Sequence, residues 1–494
     1  MTPVSPSESP SGLAPTPELA GAIKPPRKMG WLEARRARKA RLFPFVPDHA
    51  YDEGVLVLKG LFGSAVLVSD PAGVKRVLID NVANYPKTEM ERRFFTALFG
   101  AGLLGADGET WRRHRRIMAP AFDPRSVTSY GPAITRACDG FYAKWDDLAD
   151  GAEVDVPADM SALTLRIIAG TMFSADTDDV IDIVAGTMKG GFDVSQFNIL
   201  DVLPITGPMR MRWRERTMAE QFRPLDAAIN RMIDERERDP QGAAADLLNR
   251  LVTAHDENGD KALTAREVRD QVVTIFIAGH ETTAQAMNWT WYVLSQHPEH
   301  EARLHAELDT VLGGRTPTQD DLPKLEFTRR VIEEAMRLYP TAPGLSARSC
   351  LADDEICGVK VKKGAQIVVS PWILHHHRRL WDEPERFDPD RFLPERSAGR
   401  PRFAYLPFGA GPRVCIGQVL AMNEASLILA SLAQRYRLRL APGQDVALQA
   451  NVTLRPKHGL RMTLEKRAPR ARPSEPPPET GVWRLIAETV IAGG

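Results

Sequence analysis

Residues 408–417 read Phe-Gly-Ala-Gly-Pro-Arg-Val-Cys-Ile-Gly, and the interpretation of the whole chain starts from this stretch. It sets Cys415 in a glycine-rich loop, directly before an apolar pattern of helical period at 418–435. Glycines allow close approach and unusual backbone angles. A cysteine at the start of a helix lies near the positive end of the helix dipole and near unpaired N–H groups, which favour the thiolate. Cys415 is therefore suited to ligate a metal.

The surroundings of Cys415 favour one axial position on a haem iron. No His or Cys stands near it at the spacing of a tetrahedral zinc site, and a single thiolate suits haem iron. Arg413 could pair with a haem propionate. A buried structural cysteine is the alternative for a lone Cys in a glycine-rich turn. A dinucleotide-binding loop is excluded, because Val414 occupies its third glycine position.

The complete stretch resembles the haem-binding loop of the cytochrome P450 family, FxxGxRxCxG, and every fixed position is present. The resemblance implies that the chain binds haem b (iron protoporphyrin IX) with Cys415 as the iron ligand. It also implies that Phe408, Arg413 and Gly417 contribute to the cofactor site. In that family backbone N–H groups bond the sulfur, and the thiolate donates electron density that favours O–O cleavage.

A second motif, Ala278–Thr283 (AGHETT), lies inside a long apolar pattern of helical period at 266–296. Gly279 in mid-helix costs about 1 kcal/mol relative to alanine. It either opens room beside the Thr282 and Thr283 hydroxyls or permits a tight helix crossing, with those hydroxyls bonded to the preceding turn. The segment resembles the family's oxygen-binding motif. That implies catalytic roles for Thr282, by hydrogen bonding to the reacting oxygen, and Glu281, by relaying protons, with Gly279 beside the cofactor.

A third pair of motifs is EAMR, from Glu334 to Arg337, and the later PDRF, which contains Arg391. Two charges one helical turn apart are common and carry little information alone. Their order along the chain resembles the family's ExxR and PERF motifs, with Asp390 in place of the usual Glu. The resemblance implies a buried Glu334, Arg337 and Arg391 network that ties the irregular segment 375–414 to a helix. We expect Asp390 to leave that network intact, because the network uses the arginine.

The segment WRRHRR places Trp111 and Arg115 on one helix face and resembles the family's WxxxR helix. The resemblance implies that both residues hold a propionate and that Arg348 and His375 occupy further propionate-binding positions. His375 departs from the pattern, because a histidine follows it where the family usually has arginine. The triple-His run 375–377 also allows a zinc interpretation. We disfavour zinc, because neighbours in an extended segment point to opposite faces.

The remaining arginines of that helix, Arg112, Arg113 and Arg116, point elsewhere and fit either an acidic redox protein or a solvated helix face. No cysteine follows Cys415, so we expect no iron–sulfur module there. The resemblance then implies an external electron donor, a ferredoxin or flavodoxin with its reductase, as in bacterial-type members without a membrane anchor.

Composition excludes several classes of protein. Lys plus Arg and Asp plus Glu number 64 each, so no global field draws the chain to nucleic acid or to an anionic membrane. Four cysteines are too few for a disulfide framework, which predicts a reducing, cytoplasmic location. No run reaches the roughly 18 apolar residues of a membrane span. We also expect a monomer.

Helical patterns dominate after residue 71, at 110–118, 158–173, 211–237, 266–296, 299–313 and 418–435. Strand patterns occur near 51–69, 355–370 and 436–464. We predict a mainly α fold with a small β-rich lobe (α+β), which the resemblance implies is the cytochrome P450 fold. The expected division is a disordered N-terminal arm at 1–25, the catalytic domain at 26–467, and a Pro-rich linker with a short tail at 468–494.

The resemblance implies a haem-thiolate monooxygenase, with the reaction RH + O2 + 2e− + 2H+ → ROH + H2O, a hydroxylation or an epoxidation. Apolar residues at 87–104, 190–212 and 340–347 favour an apolar substrate, either fatty acyl, terpenoid or steroid-like. Two alternatives stay open. A peroxygenase would work with peroxide but not with an electron donor. A non-catalytic haem sensor would be indifferent to Thr282→Ala.

Overall fold

The structure, a computed structural model, describes residues 46–60, 63–174, 183, 186–187, 206–239, 246–256 and 258–467. The expected arm at 1–25 and tail at 468–494 lie outside these residues. Helices predominate within them. The helices are α1 (Pro71–Lys75), α2 (Glu89–Phe99), α3 (Gly108–Met118), α4 (Pro124–Ser129), α5 (Gly131–Asp146), α6 (Val156–Met172), α7 (Thr206–Arg238), α8 (Leu247–Thr253), α9 (Ala265–Gln296), α10 (Pro298–Leu312), α11 (Glu326–Leu338), α12 (Pro371–His375), α13 (Pro394–Ser397) and α14 (Gln418–Ala433).

Short strands complete the described fold. They are β1 (Val55–Gly60), β2 (Gly63–Val68), β3 (Glu153–Asp155), β4 (Arg348–Ser349), β5 (Asp354–Ile356), β6 (Val359–Val361), β7 (Gln366–Val369), β8 (Tyr436–Leu440), β9 (Leu448–Ala450), β10 (Leu454–Pro456) and β11 (Arg461–Lys466). The largest sheet has the order β1-β2-β7-β4, and β2 pairs with β7 in parallel. Strands distant in sequence therefore join in one lobe, and the predicted α+β class is confirmed.

Helix α9 is the central element of the helical part. A capping box starts it, because the Thr264 hydroxyl accepts the Glu267 N–H while the Glu267 carboxylate accepts the Thr264 N–H. Pro298, at the first position of α10, follows directly after its end. Between its termini α9 is almost wholly buried, against α6, α11 and α14. Its apolar sequence reflects burial on nearly all sides, although no described helix is long and apolar enough to cross a membrane.

The crossing of α6 and α9 explains the glycine in mid-helix. A Cβ atom built on Gly279 would lie 2.6 Å from Cδ1 and 2.8 Å from Cγ1 of Ile168. Real side chains do not approach this closely, so the missing side chain lets the two helices pack. The Thr164 hydroxyl also donates to the His280 carbonyl, 3.1 Å away, at the same crossing. The tight-crossing explanation of Gly279 is thus the one that the geometry favours.

The expected network of Glu334, Arg337 and Arg391 is present and buried. Nε of Arg337 lies 2.7 Å from Oε2 of Glu334, and Nε of Arg391 lies 3.3 Å from Oε1. Arg337 also donates to the carbonyls of His375 and Pro384. These bonds fasten the irregular segment after α12 to α11, so the predicted structural role is confirmed.

Asp390 takes no part in that network, as expected. Its carboxylate pairs with Arg303 and Arg330, at N–O distances of 2.9 and 2.7 Å. The Asp-for-Glu difference therefore leaves the central ion pairs unchanged.

Several helices were not predicted from the sequence, and α5 shows the reason. It begins with Gly131 and Pro132 and contains Gly140, which are local signals of turns rather than helices. Its apolar residues Ile134, Phe141 and Trp145 are buried in the main core. Tertiary packing therefore overrides its weak local preference.

We expect Gly279→Val to lower the free energy of unfolding by about 1–3 kcal/mol, because the new side chain would overlap Ile168. Thermal unfolding monitored by circular dichroism measures the change. Gly140→Val is the matched control, since Gly140 is also helical and a Cβ there meets no atom within 4 Å. Equal destabilisation by both substitutions would contradict the crossing argument.

Candidate active site

The loop before α14 is shaped by its glycines and by one backbone bond. Gly409 and Gly411 have φ values of 69° and 74°, which side chains rarely adopt. A Cβ on Gly411 would also lie 2.0 Å from the Leu78 carbonyl oxygen. The Cys415 N–H donates to the Phe408 carbonyl at 2.9 Å and closes the loop. This arrangement holds Cys415 two residues before the N-cap of α14.

Cys415 lines a space inside the molecule. The residue is accessible, yet burial among surrounding atoms is the largest influence on its thiol. Both hold together where a side chain faces a recess bounded by protein atoms. Burial raises the pKa of the Cys415 thiol, whereas the Gly417 N–H and the nearby Arg115 guanidinium act to lower it. In the protein alone desolvation outweighs the groups that favour the thiolate, and the thiolate ligand itself stays a prediction.

The AGHETT motif presents a second accessible stripe. Residues 270–294 of α9 are buried with three exceptions, and these are Ala278, Gly279 and Thr282. They fall at i, i+1 and i+4, so they lie on one face of the helix. This face therefore borders internal space, and Thr282 brings a hydroxyl to it.

The hydroxyl protons of the motif are already engaged. Thr282 donates to the Ala278 carbonyl at 2.8 Å, and Thr283 donates to the Gly279 carbonyl at 3.1 Å. These are the bonds to the preceding turn that the tight-crossing explanation of the motif requires. The Thr282 oxygen keeps its acceptor capacity toward the cavity. The motif can thus accept a hydrogen bond there while the helix remains intact.

Helix α3 carries Trp111 and Arg115 to the Cys loop. The Arg413 guanidinium lies 4.4 Å from the centre of the Trp111 ring, and that of Arg115 lies 5.8 Å from it. Arg413 also donates to the Ala106 carbonyl and pairs with Asp107 at the start of α3. The structure therefore brings three of the predicted cofactor-binding residues together.

A fourth cation, Lys87, was missed by the sequence analysis. Lys87 and Arg348 are both buried, at 6% and 8% exposure. The Lys87 ammonium donates to the Leu104 carbonyl at 2.6 Å. Burial lowers the pKa of Lys87 to about 8, and the charges of Arg413 and Arg348 add to that effect. No spacing signal marked this lysine, because only the fold brings residue 87 beside residues 348 and 413.

These buried cations test whether the residues fit a haem. Burial lowers the pKa of both Arg348 and Arg413, and Nε of Arg348 has no hydrogen-bond partner among the described residues. A buried donor on a buried cation is costly unless an anion faces it. A flat group with a ligand position for sulfur and two carboxylates would satisfy both this cluster and Cys415. The residues present therefore fit haem.

His375 binds the segment just before the Cys loop. Its Nε2 accepts the Leu406 N–H at 2.8 Å, and its carbonyl accepts from Arg337. Burial drives the pKa of His375 well below its ordinary value, so the ring is neutral. The other ring nitrogen, Nδ1, is buried without a hydrogen-bond partner among the described residues, and its contact with a propionate stays a prediction.

The neighbouring histidines bind backbone carbonyls. Nδ1 of His376 bonds the Trp372 carbonyl, and Nε2 of His377 lies near that of Glu53. Within the described ranges no group of three or more His, Cys, Asp or Glu residues is placed to hold a metal ion.

Comparison with known proteins gives one consistent family. The family model described as Cytochrome P450 matches residues 51–463. Cyclooctatin synthase of Streptomyces melanosporofaciens is 35% identical over 78% of this chain and 83% of its own length. Pentalenene oxygenase of Streptomyces avermitilis is 35% identical over 75% and 81%. The crystal structure of the cytochrome P450DA heme domain superposes with a TM-score of 0.72 at 28% identity, over 84% and 90%.

We expect Lys87→Met to speed the loss of haem to apomyoglobin by about tenfold or more, because a hydrogen bond to a charged group contributes about 1.5–3 kcal/mol. Soret absorbance during transfer measures this rate. Lys75→Met is the control, since Lys75 is exposed and pairs only with Asp80 among the described residues.

The same substitution should stabilise the haem-free chain in a defined pH range. Because the folded-state pKa of Lys87 is lowered from 10.5 to about 8, holding its charge costs stability below pH 8. That cost vanishes as pH rises towards 10.5, where both states are neutral. The stability gained by Lys87→Met should shrink across this range in urea unfolding. A gain in stability that does not change with pH would contradict the lowered pKa of Lys87.

Proposed function

Because this chain belongs to the cytochrome P450 family and is a haem-dependent monooxygenase, we propose that Cys415 ligates its iron and that the substrate is a terpenoid. The accessible Cys415 thiol, set in the glycine loop inside the protein, is the observation that carries the proposal. When bound, haem supplies the redox centre at which dioxygen is reduced and one oxygen atom enters the substrate. The remaining roles fall to the residues of the chain.

We assign the cofactor carboxylates to the buried cations. Arg348, Arg413 and Lys87 would bind them, with Arg115 and Trp111 beside the Cys loop. Arg413 also pairs with Asp107, and the charge of Glu91 acts on Lys87 and Arg348. The cofactor carboxylates would therefore join these acids as partners of the buried cations. Phe408 and Gly417 would shape the sulfur side of the site through their backbone groups.

Thr282 and Glu281 would manage the protons of the reaction. Thr282 presents a hydroxyl oxygen on the accessible face of α9, where it could hold a water or the reacting oxygen. Glu281 is the adjacent buried acid and would relay protons to that face. Gly279 serves this arrangement by admitting Ile168 and so fixing the helix position.

A terpenoid substrate is supported by the names of two relatives, one a cyclooctatin synthase and one a pentalenene oxygenase. Helix α2 carries apolar residues, with Phe94 and Phe95 half-buried and Phe99 buried. The Phe95 ring lies beneath the Lys87 ammonium, 5.3 Å from it. A compact cyclic hydrocarbon would gain binding energy from such contacts without needing a charged partner. The predicted wall at 190–205 lies outside the described residues.

The electron donor in this proposal is a ferredoxin or a flavodoxin with its reductase. Arg112, Arg113 and Arg116 are exposed on α3, whose other face carries Trp111 and Arg115. His114 anchors the helix, because its Nδ1 bonds Gln271 of α9 at 2.8 Å. An acidic protein bound there would lie close to the Cys loop.

The ligand assignment is tested by the visible spectrum of the dithionite-reduced protein with carbon monoxide. We expect a strongly red-shifted Soret band in the wild type and its loss in Cys415→Ser, because thiolate ligation would alter the electronic structure of the haem. Cys357→Ser is the control, since Cys357 is also accessible but lies in the sheet lobe. A band that survives Cys415→Ser would refute the assignment.

The substrate class is tested by spin-state titration of the ferric protein. Pentalenene is expected to displace water from the iron and shift the Soret band to shorter wavelength, whereas lauric acid should shift it less at equal concentration. Product analysis with NADPH, ferredoxin and reductase then checks for a hydroxylated product. A shift with lauric acid alone would favour a fatty-acyl substrate instead.

A further inference from the structure

Glu281, the acid of the AGHETT motif, has several polar partners in the protein interior. Oε1 of Glu281 lies 2.9 Å from Nη2 of Arg455, and it accepts a hydrogen bond from the Thr453 hydroxyl, also at 2.9 Å. Gln285, one turn later on α9, donates to the same oxygen at 3.2 Å. Arg455 lies in β10 and Thr453 just before it, so a hairpin distant in sequence clamps the acid.

The clamp is a closed set of bonds. Nε of Arg455 donates to the Thr453 hydroxyl oxygen at 3.1 Å, and the Thr453 hydroxyl in turn donates a hydrogen bond to Glu281. Arg455 therefore holds Glu281 both directly and through Thr453. Two points of attachment fix a carboxylate more firmly than one ion pair does.

The hairpin is itself anchored to the central helices. The Trp289 indole donates to the Leu454 carbonyl at 3.0 Å, and the Leu454 N–H donates to the Thr341 carbonyl at 2.9 Å. Leu454 lies between the two clamping residues. The backbone position of the clamp relative to α9 is therefore set by the fold and not by the ion pair alone.

The Arg455 side chain is more exposed to solvent than the acid that it contacts. The Glu281 side chain is 9% exposed, whereas that of Arg455 is 23% exposed. A guanidinium does not release its proton at ordinary pH, so Arg455 cannot carry protons itself. It can hold the carboxylate in place.

We propose that Arg455, acting with Thr453, is a positioning residue that orients the Glu281 carboxylate and thereby controls proton transfer from solvent to the Thr282 face. This inference rests on the proposed relay role of Glu281. The ion pair with Arg455 and the hydrogen bonds from Thr453 and Gln285 all meet Oε1 of this carboxylate. The clamp thus fixes the orientation of the carboxylate, and without it the buried acid would lose this counter-ion and could rotate.

The experiment is a double-mutant cycle read by NADPH oxidation. Wild type, Arg455→Leu, Glu281→Gln and the double variant are supplied with ferredoxin and reductase, without added substrate. Each NADPH then supports O2 + 2e− + 2H+ → H2O2, or two support the reduction of O2 to water. The rate is measured in H2O and in D2O, because a solvent isotope effect reports proton transfer and a purely structural change would not alter it.

We expect Arg455→Leu to slow NADPH oxidation on the order of tenfold and to enlarge the solvent isotope effect. In the Glu281→Gln background the same substitution should cause no further change. Arg455→Lys, which keeps the charge but not the two-point contact, should recover part of the rate.

Arg439→Leu is the matched control. Arg439 in β8 pairs with the buried Glu301 of α10 at 2.7 Å, with side-chain exposures of 32% and 6%. It therefore loses a similar ion pair far from the motif and should leave the rate and isotope effect unchanged.

The outcomes distinguish the relay role of Glu281 from the positioning role of Arg455. If Glu281→Gln leaves the rate and the isotope effect unchanged, the relay role is wrong and the inference falls with it. If Glu281→Gln slows the reaction but Arg455→Leu slows both backgrounds equally, the relay stands and only the positioning role of Arg455 is overturned.

Discussion

The buried ion pair between Glu334 and Arg337 is the interaction on which the rest of the structure depends. The segment from α12 to the Cys loop has little regular structure, so its backbone carbonyls need partners from elsewhere. Arg337 provides them for His375, Pro384 and Arg386. Removing one member of such a network leaves a buried charge uncompensated, which typically costs about 3–5 kcal/mol. The position of Cys415 relative to the helices follows from this attachment.

Buried charges also matter at the cofactor site, but there the buried side chains carry charges of the same sign. Glu334 and Arg337 neutralise each other inside the fold. At the cofactor site burial lowers the pKa of Lys87, Arg348 and Arg413, and the charges of the two arginines lower that of Lys87 further. A protein that keeps like charges buried together needs an anionic partner to justify the cost. Stability is thereby coupled to the cofactor, because carboxylates bound among these cations would stabilise the folded chain. The charges of Glu334 and Arg337 balance without a ligand, whereas the buried cations at the cofactor site suit the carboxylates of haem.

Helix α9 combines packing and chemistry in a few residues. Gly279 admits Ile168, and this fixes how Thr282 faces the internal space. Glu281 meets Arg455 from a strand that lies more than a hundred residues later. Packing accounts for the glycine and for the back-bonded threonine hydroxyls, whereas the buried acid has no such packing role. These residues cost stability locally, and the surrounding ion pairs and close packing compensate for it.

The sequence determined the elements whose signal is local. The helical period of α9 and the glycine loop around Cys415 can be recognised from spacing and residue type, whereas the pairing of Glu334 with Arg337 followed from the family resemblance. Lys87, Thr453 and Arg455 could not be found this way, nor could the raised pKa of the Cys415 thiol. Desolvation and charge–charge interactions depend on distances between segments far apart in the chain, and only the tertiary structure sets those distances.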